Sequence, residues 1–217
     1  MLYRLERQKL CDWMLVMYDR WLTNAAGGNV TVRINDEHWI MTPTLMAQEK
    51  LCRLVPENIL VVDKELNIIE GDGQLTRETN MHMAIYESDS RVKAVIHAHP
   101  KELMPFATMG IGMPIINENL RKMGDLPCLP YAPATTVVLA ERVREFVNEL
   151  VSKGANLPYG ALLQEHGIIL AETSLEKCYD VLERLEANAY TYVQAKILEL
   201  TGHQWSKSTS HEHISDE

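Results

Sequence analysis

KAVIHAHPKEL, residues 93–103, opens as an apolar run and closes on two histidines set two apart. In a strand, residues i and i+2 project to the same face. His97 and His99 therefore stand side by side, and Ala98 points the other way. Pro100 ends the strand at once, which puts the pair at a sheet rim. Two adjacent imidazoles suit a metal ion. The same short pattern also describes two hydrogen-bonded polar residues at a strand end.

The surrounding elements read outward from this strand. Residues 3–22 carry Leu10, Met14, Val16 or Met17, and Trp21 near helical spacing. The glycines of NAAGGNVTVRI break that helix and lead into a strand on which Val30, Val32 and Ile34 alternate with polar residues. EHWIMTPT predicts a second strand with a turn at Pro43, and NILVVDKELNIIEG predicts two more joined by a turn. Thr76 is placed to cap a helix over TRETNMHMAIYESD. A short helix over KELMPFATMG ends at Gly110, and LPCLPYAPATT is Pro-rich and irregular. Residues 137–153 form an amphipathic helix ended by Gly154. GALLQEHGIILAE is a strand pair or one bulged strand. A long helix over 174–200 buries Cys178, Leu182, Leu185, Ala189, Tyr192, Ala195 and Ile197. Interleaved strands and helices make this an α/β layered protein. One domain over residues 1–202 is expected, followed by a polar, flexible tail over 203–217.

Composition narrows the function. The 217 residues are 46% hydrophobic and 24% charged, as in a folded globular chain, and the net charge is -9. That acidity argues against a nucleic-acid surface. No stretch approaches the ~18 apolar residues of a membrane span, and the N-terminus lacks signal-peptide features. Cys11, Cys52, Cys128 and Cys178 form no Cys-x-x-Cys pair, so they read as reduced thiols of a cytoplasmic protein.

Four further features could join His97 and His99. His166 interrupts an apolar run in LLQEHGII, with Gly167 behind it to permit a bulge or an unusual backbone angle. Alone it is a turn histidine; with the other two it would complete a three-histidine site with an open position. Glu78 in the first turn of its helix is either a charge favoured by the helix dipole or a fourth ligand that doubles as a base. His82, one turn on, has a structural or supporting role. The Gly27–Gly28 pair before Asn29 and the helix start at Thr76–Arg77 are two possible anion nests.

GGNVTVR, MTPT followed by EKL, Glu78 with HMAIY, VIHAHP, PCLPYA and QEHG occur in order over residues 5–200. Together they resemble the class II aldolase/adducin family, nearest its L-fuculose-phosphate aldolase group. The resemblance implies a three-layer α/β/α sandwich with a mixed, largely antiparallel central sheet. It implies one zinc per subunit held by His97, His99 and His166, with Glu78 as resting fourth ligand and catalytic acid/base. Gly28, Asn29, Thr44, Thr76 and Arg77 would bind substrate. The implied reaction is reversible cleavage of a ketose 1-phosphate to dihydroxyacetone phosphate and an aldehyde, in a homotetramer with sites at subunit boundaries. Other divalent transition metals suit the same ligands. The same resemblance allows a sugar-phosphate epimerase, a sugar-acid-phosphate decarboxylase, or a non-catalytic adducin-like protein.

Departures from the family pattern bear on substrate. Leu45 stands where these aldolases have glycine, Thr76 and Arg77 replace a serine pair, and Ala26 replaces a threonine. Hydroxyls are lost and a guanidinium is gained, so Arg77 becomes the expected phosphate anchor, unless the substrate carries no phosphate. Glu118 lies where a catalytic tyrosine is usual. His203, His211 and His213 read as solvated.

Overall fold

The computed structural model describes residues 1–204. His211 and His213, and most of the expected tail, lie outside the described residues. Eight strands form one sheet: β1 Asn29–Arg33, β2 Trp39–Met41, β3 Leu60–Val62, β4 Ile68–Glu70, β5 Ala94–Ala98, β6 Cys128–Leu129, β7 Tyr159–Leu163 and β8 Gly167–Glu172. Their order is β4-β3-β2-β1-β5-β8-β7-β6. Every pairing is antiparallel except β6 with β7.

Helices cover both faces. Residues of α1 Arg4–Asp19, α4 Met104–Met109 and α6 Leu175–Leu200 pack with Val30, Ile96, Ala98 and Ile168 on one side. Residues of α3 Thr79–Ser88 and α5 Val137–Ser152 pack with Val95, Leu163 and Ile169 on the other. A sixth helix, α2 Met46–Lys50, is a single turn between β2 and β3. The result is the expected α/β/α sandwich. Strand β5 lies at its centre, buried on both faces. Truncating Ile96 there to alanine would cost about 2–5 kcal/mol.

The helix ends follow side-chain chemistry. Thr136 and Ser174 accept hydrogen bonds from Leu139 N and Lys177 N and cap α5 and α6. Gly154 takes a left-handed conformation after α5, with Gly154 N donating to Val151 O and Ala155 N to Leu150 O.

The structure departs from the sequence reading at several points. Helix α1 stops at Asp19, before the glycines. Trp21 adopts the left-handed conformation there, and Leu22 N donates to Met17 O. Helix α3 is assigned from Thr79, with Glu78 at the N-cap rather than within the first turn. Thr76 still organises the entry, because its Oγ1 accepts from Glu78 N and its carbonyl from Thr79. The Pro-rich segment supplies the short strand β6. On α6, Ile197 is 48% exposed in the isolated chain, so the buried stripe ends before it.

Candidate active site

Antiparallel register brings three strand ends to one rim. Asn29 pairs with His97 across β1 and β5, so the Gly27–Gly28 turn lies next to the end of β5. Across β5 and β8, Ala98 pairs with Ile168, which sets Gly167 opposite His99. The hairpin turn between β7 and β8 then carries His166 to the same rim.

Two glycines make this convergence possible for different reasons. Gly28 has φ +127°, and a Cβ there would strike Thr23 Oγ1. Gly167 needs no unusual backbone angle, contrary to expectation; the left-handed residue of the turn is Glu165, at φ +59°. What Gly167 supplies is space. A Cβ there would lie 2.6 Å from His99 Cδ2 and 3.3 Å from His97 Cε1.

Ligating atoms of His97, His99 and His166 all lie within 4.8 Å of one another. His97 Nδ1 is 2.9 Å from Ile168 O, which fixes that nitrogen as the donor and leaves Nε2 free. The buried Nδ1 atoms of His99 and His166 have no hydrogen-bond partner. Burial holds all three imidazoles toward the neutral form. His97 titrates well below the usual histidine range, with further depression from His99, His166 and His82. Burial and the neighbouring His166 bring His99 down to about 4, and burial lowers His166. Three neutral imidazoles with free lone pairs fit a divalent transition metal.

Glu78 lies beside this group, its Oε1 3.9 Å from His166 Nε2. Thr135 N donates to the same oxygen at 3.1 Å. Burial pushes the Glu78 carboxyl above the usual range, while the Thr135 N–H and the charge of Arg77 oppose that shift.

A cavity of about 440 Å³ opens over the rim. Gly28, Asn29, Thr44, Thr76, Arg77, Glu78, His97, His99 and His166 all line it, so every site residue expected from the sequence reaches one space. Arg77 is exposed there. The buried Oδ1 of Asn29 has no partner. Leu45 also lines the cavity and holds φ +60°, a conformation suited to glycine.

His82 does not line the cavity. It is fully buried, with Nδ1 2.9 Å from Thr31 Oγ1. Glu118 begins a 3-10 turn, Glu118–Met123, away from the cavity lining. His203 Nδ1 meets Thr201 Oγ1 at 3.2 Å. Sequence reasoning missed Thr135, Asn24 and Glu165. Thr135 acts through its backbone, and Asn24 Nδ2 donates to His99 O across 75 positions of sequence, so neither leaves a local pattern. No described helix is long and apolar enough to cross a membrane.

The profile of the Class II Aldolase and Adducin N-terminal domain matches residues 8–193. The L-fuculose phosphate aldolase of Escherichia coli (strain K12) is 32% identical over 196 residues, which cover 87% of this chain and 85% of the relative. A 3-oxo-tetronate 4-phosphate decarboxylase of Cupriavidus necator is 25% identical over 196 residues, 88% and 84% of the two chains. A solved L-fuculose 1-phosphate aldolase structure superposes with a TM-score of 0.74 at 23% identity, covering 94% of this chain and 90% of the other. The fold is therefore that of the class II aldolases.

Proposed function

Because the chain belongs to the class II aldolase and adducin family, whose aldolases are metal-dependent lyases, we propose that it is a zinc-dependent aldolase acting on a ketose 1-phosphate such as L-fuculose 1-phosphate. The products are dihydroxyacetone phosphate and an aldehyde. The observation that carries this reading is the meeting of three neutral histidines and a buried glutamate in one cavity with an exposed arginine.

In this reading His97, His99 and His166 hold the metal, with Glu78 as the resting fourth ligand. When bound, the ion supplies electrophilic stabilisation of the negative charge that develops as the carbon–carbon bond breaks. The C4 hydroxyl proton passes to solvent water, which returns one to the Glu78 carboxylate, the C3–C4 bond cleaves, and the aldehyde departs. The bond's electron pair remains on the three-carbon fragment as an enediolate. Glu78 delivers a proton to C3 of that fragment, and removes it in the reverse direction. Its raised pKa suits that task, since burial lets the carboxyl carry a proton nearer to neutrality. Gly28, Asn29, Thr44, Thr76 and Arg77 bind the phosphate. Arg77 supplies the charge that the missing hydroxyls do not, as a guanidinium is well matched to phosphate oxygens. Residues 1–202 form the catalytic domain of a cytoplasmic homotetramer.

A second reading is a decarboxylase of a sugar-acid phosphate, favoured by the similarity to the Cupriavidus necator enzyme. There the electron pair left by carbon dioxide would need the same stabilisation. The test begins with metal content of the purified protein beside a His97→Ala/His99→Ala variant. About one zinc per chain in the wild type, lost in the variant, is the expected result. Zinc-loaded protein is then offered ketose 1-phosphates and 3-oxo sugar-acid phosphates. Dihydroxyacetone phosphate release supports the aldolase, and carbon dioxide release alone replaces it with the decarboxylase. Absence of bound metal, with no activity on zinc addition, returns the chain to a non-catalytic adducin-like role.

A further inference from the structure

The chain leaving His99 is held by groups far away in sequence. Asn24 Nδ2 donates to His99 O at 3.4 Å, and Lys101 N donates to Trp21 O at 3.2 Å. The strongest hold comes from α6. Glu186 Oε1 accepts from Glu102 N at 2.7 Å and Oε2 accepts from Leu103 N at 3.0 Å. Each carboxylate oxygen thus takes one backbone donor of the turn that joins β5 to α4. That turn carries His99 at one end and Met104, another cavity-lining residue, at the other.

We infer that Glu186 is a positioning residue for the His97–His99 arm of the metal site, acting through the backbone N–H groups of Glu102 and Leu103. The inference rests on the metal-site reading above. A histidine at a strand end, followed by proline, has no ladder hydrogen bonds beyond it to fix its backbone. Ligand geometry then depends on what holds the next turn, and a bidentate carboxylate holds it at two adjacent points. Burial works against this arrangement and lifts the Glu186 carboxyl to about 7, with the nearby Glu102 charge adding to the rise. A neutral or apolar residue would therefore suit helix packing better. The carboxylate's evident use is the grip on the turn.

Asn188 supplies an internal control. It lies two residues on in the same helix, and its side chain grips a different segment. Oδ1 accepts from Ile116 N and Asn117 N, and Nδ2 donates to Pro114 O. It is fully buried, and its loss should destabilise the fold without loosening the turn after His99.

The test is zinc affinity of the metal-free protein, measured by competition with a chromophoric chelator, alongside thermal melts. Glu186→Gln keeps the shape but offers only one acceptor oxygen. Glu186→Asp keeps the charge but is one methylene too short to span both donors. Both are expected to bind zinc about ten-fold more weakly than wild type, the scale seen for residues that orient metal ligands. Asn188→Ala is expected to melt earlier with zinc affinity unchanged. Unchanged affinity in both Glu186 variants overturns the inference. So does unchanged affinity in Glu186→Asp alone, since the carboxylate would then act by charge and not by position. Loss of affinity in Asn188→Ala equal to that in the Glu186 variants also overturns it, because any weakening of α6 would suffice. Zinc binding absent from the wild type overturns the metal-site reading and this inference together.

Discussion

The backbone N–H of Thr135 donates to Oε1 of Glu78 at 3.1 Å, joining the turn before α5 to the entry of α3. The same oxygen faces His166 Nε2 at 3.9 Å. One carboxylate oxygen is thus fixed between a donor and the histidine group. Glu78→Gln keeps the shape and the hydrogen-bonding oxygen but cannot exchange a proton. Its kcat is expected to fall by about 10²- to 10⁴-fold, with zinc still bound through the histidines. Steady-state kinetics beside metal analysis check this, and a kcat near wild type would remove Glu78 from proton transfer.

Thr135 holds φ +67°, an uncommon conformation for a threonine. Its contact with Glu78 uses the main chain, which glycine also possesses. Thr135→Gly should therefore keep kcat within a few-fold of wild type. Relief of left-handed strain, on the order of 1 kcal/mol, should roughly offset the entropy that glycine adds to the unfolded chain. A large drop in kcat with unchanged melting temperature would show that the threonine side chain itself takes part.

Much of this arrangement was legible in the sequence, because it depends on strand period and on residue chemistry. The alternation that sends Ala94, Ile96 and Ala98 to one face sends Val95, His97 and His99 to the other. The unreadable parts are those set by long-range pairing. The order in which β5 sits between β1 and β8 brings Asn29 and Gly167 to the two histidines, and no local pattern encodes that order. The end of α1 leaves no local signal, because a tryptophan occupies the left-handed position where glycine is usual. Strand β6 leaves none either, because two residues of parallel pairing carry no periodicity.

Arg77 is exposed at the cavity, and no residue on the rim offers it a carboxylate partner within ion-pair distance among the described residues. If it anchors phosphate, Arg77→Ala loses a charge-assisted hydrogen bond. That should raise KM for a phosphorylated ketose roughly 10- to 100-fold, with a smaller effect on kcat. Equal KM in the two proteins would mean that the anionic group binds elsewhere or that the substrate carries none.

Burial brings the pKa of His82 down to about 3, from an ordinary value of 6.5. A folded-state pKa depressed below the unfolded one contributes stability that is present above the unfolded value. That stability is lost as pH falls from about 6.5 toward 3, since only the unfolded chain readily takes the proton. The metal-free protein should therefore melt progressively earlier as pH drops through this window. His82→Asn keeps a hydrogen-bonding group near Thr31 but does not titrate there. Its melting temperature should fall less steeply over the same range. Parallel curves for the two proteins would place the acid sensitivity on other groups.

Gly167 tests whether the three histidines act as one unit. Its missing side chain leaves room for His99 Cδ2 and His97 Cε1, which would meet a Cβ at 2.6 and 3.3 Å. The carbonyl of Ala98 would meet it as well, and a backbone atom in the centre of the sheet has little freedom to withdraw. His97 cannot turn aside without losing its hydrogen bond to Ile168 O. Gly167→Ala must therefore displace ligand rings, strand backbone, or both. Overpacking of this kind costs about 1–3 kcal/mol of stability. The same displacement should reduce zinc affinity and lyase activity together, although the substitution removes no ligand and lies outside the substrate-binding residues. Zinc titration and kinetics on the purified variant check this. Full zinc loading with full activity would mean that the three imidazoles tolerate rearrangement, and that Gly167 serves only the hairpin.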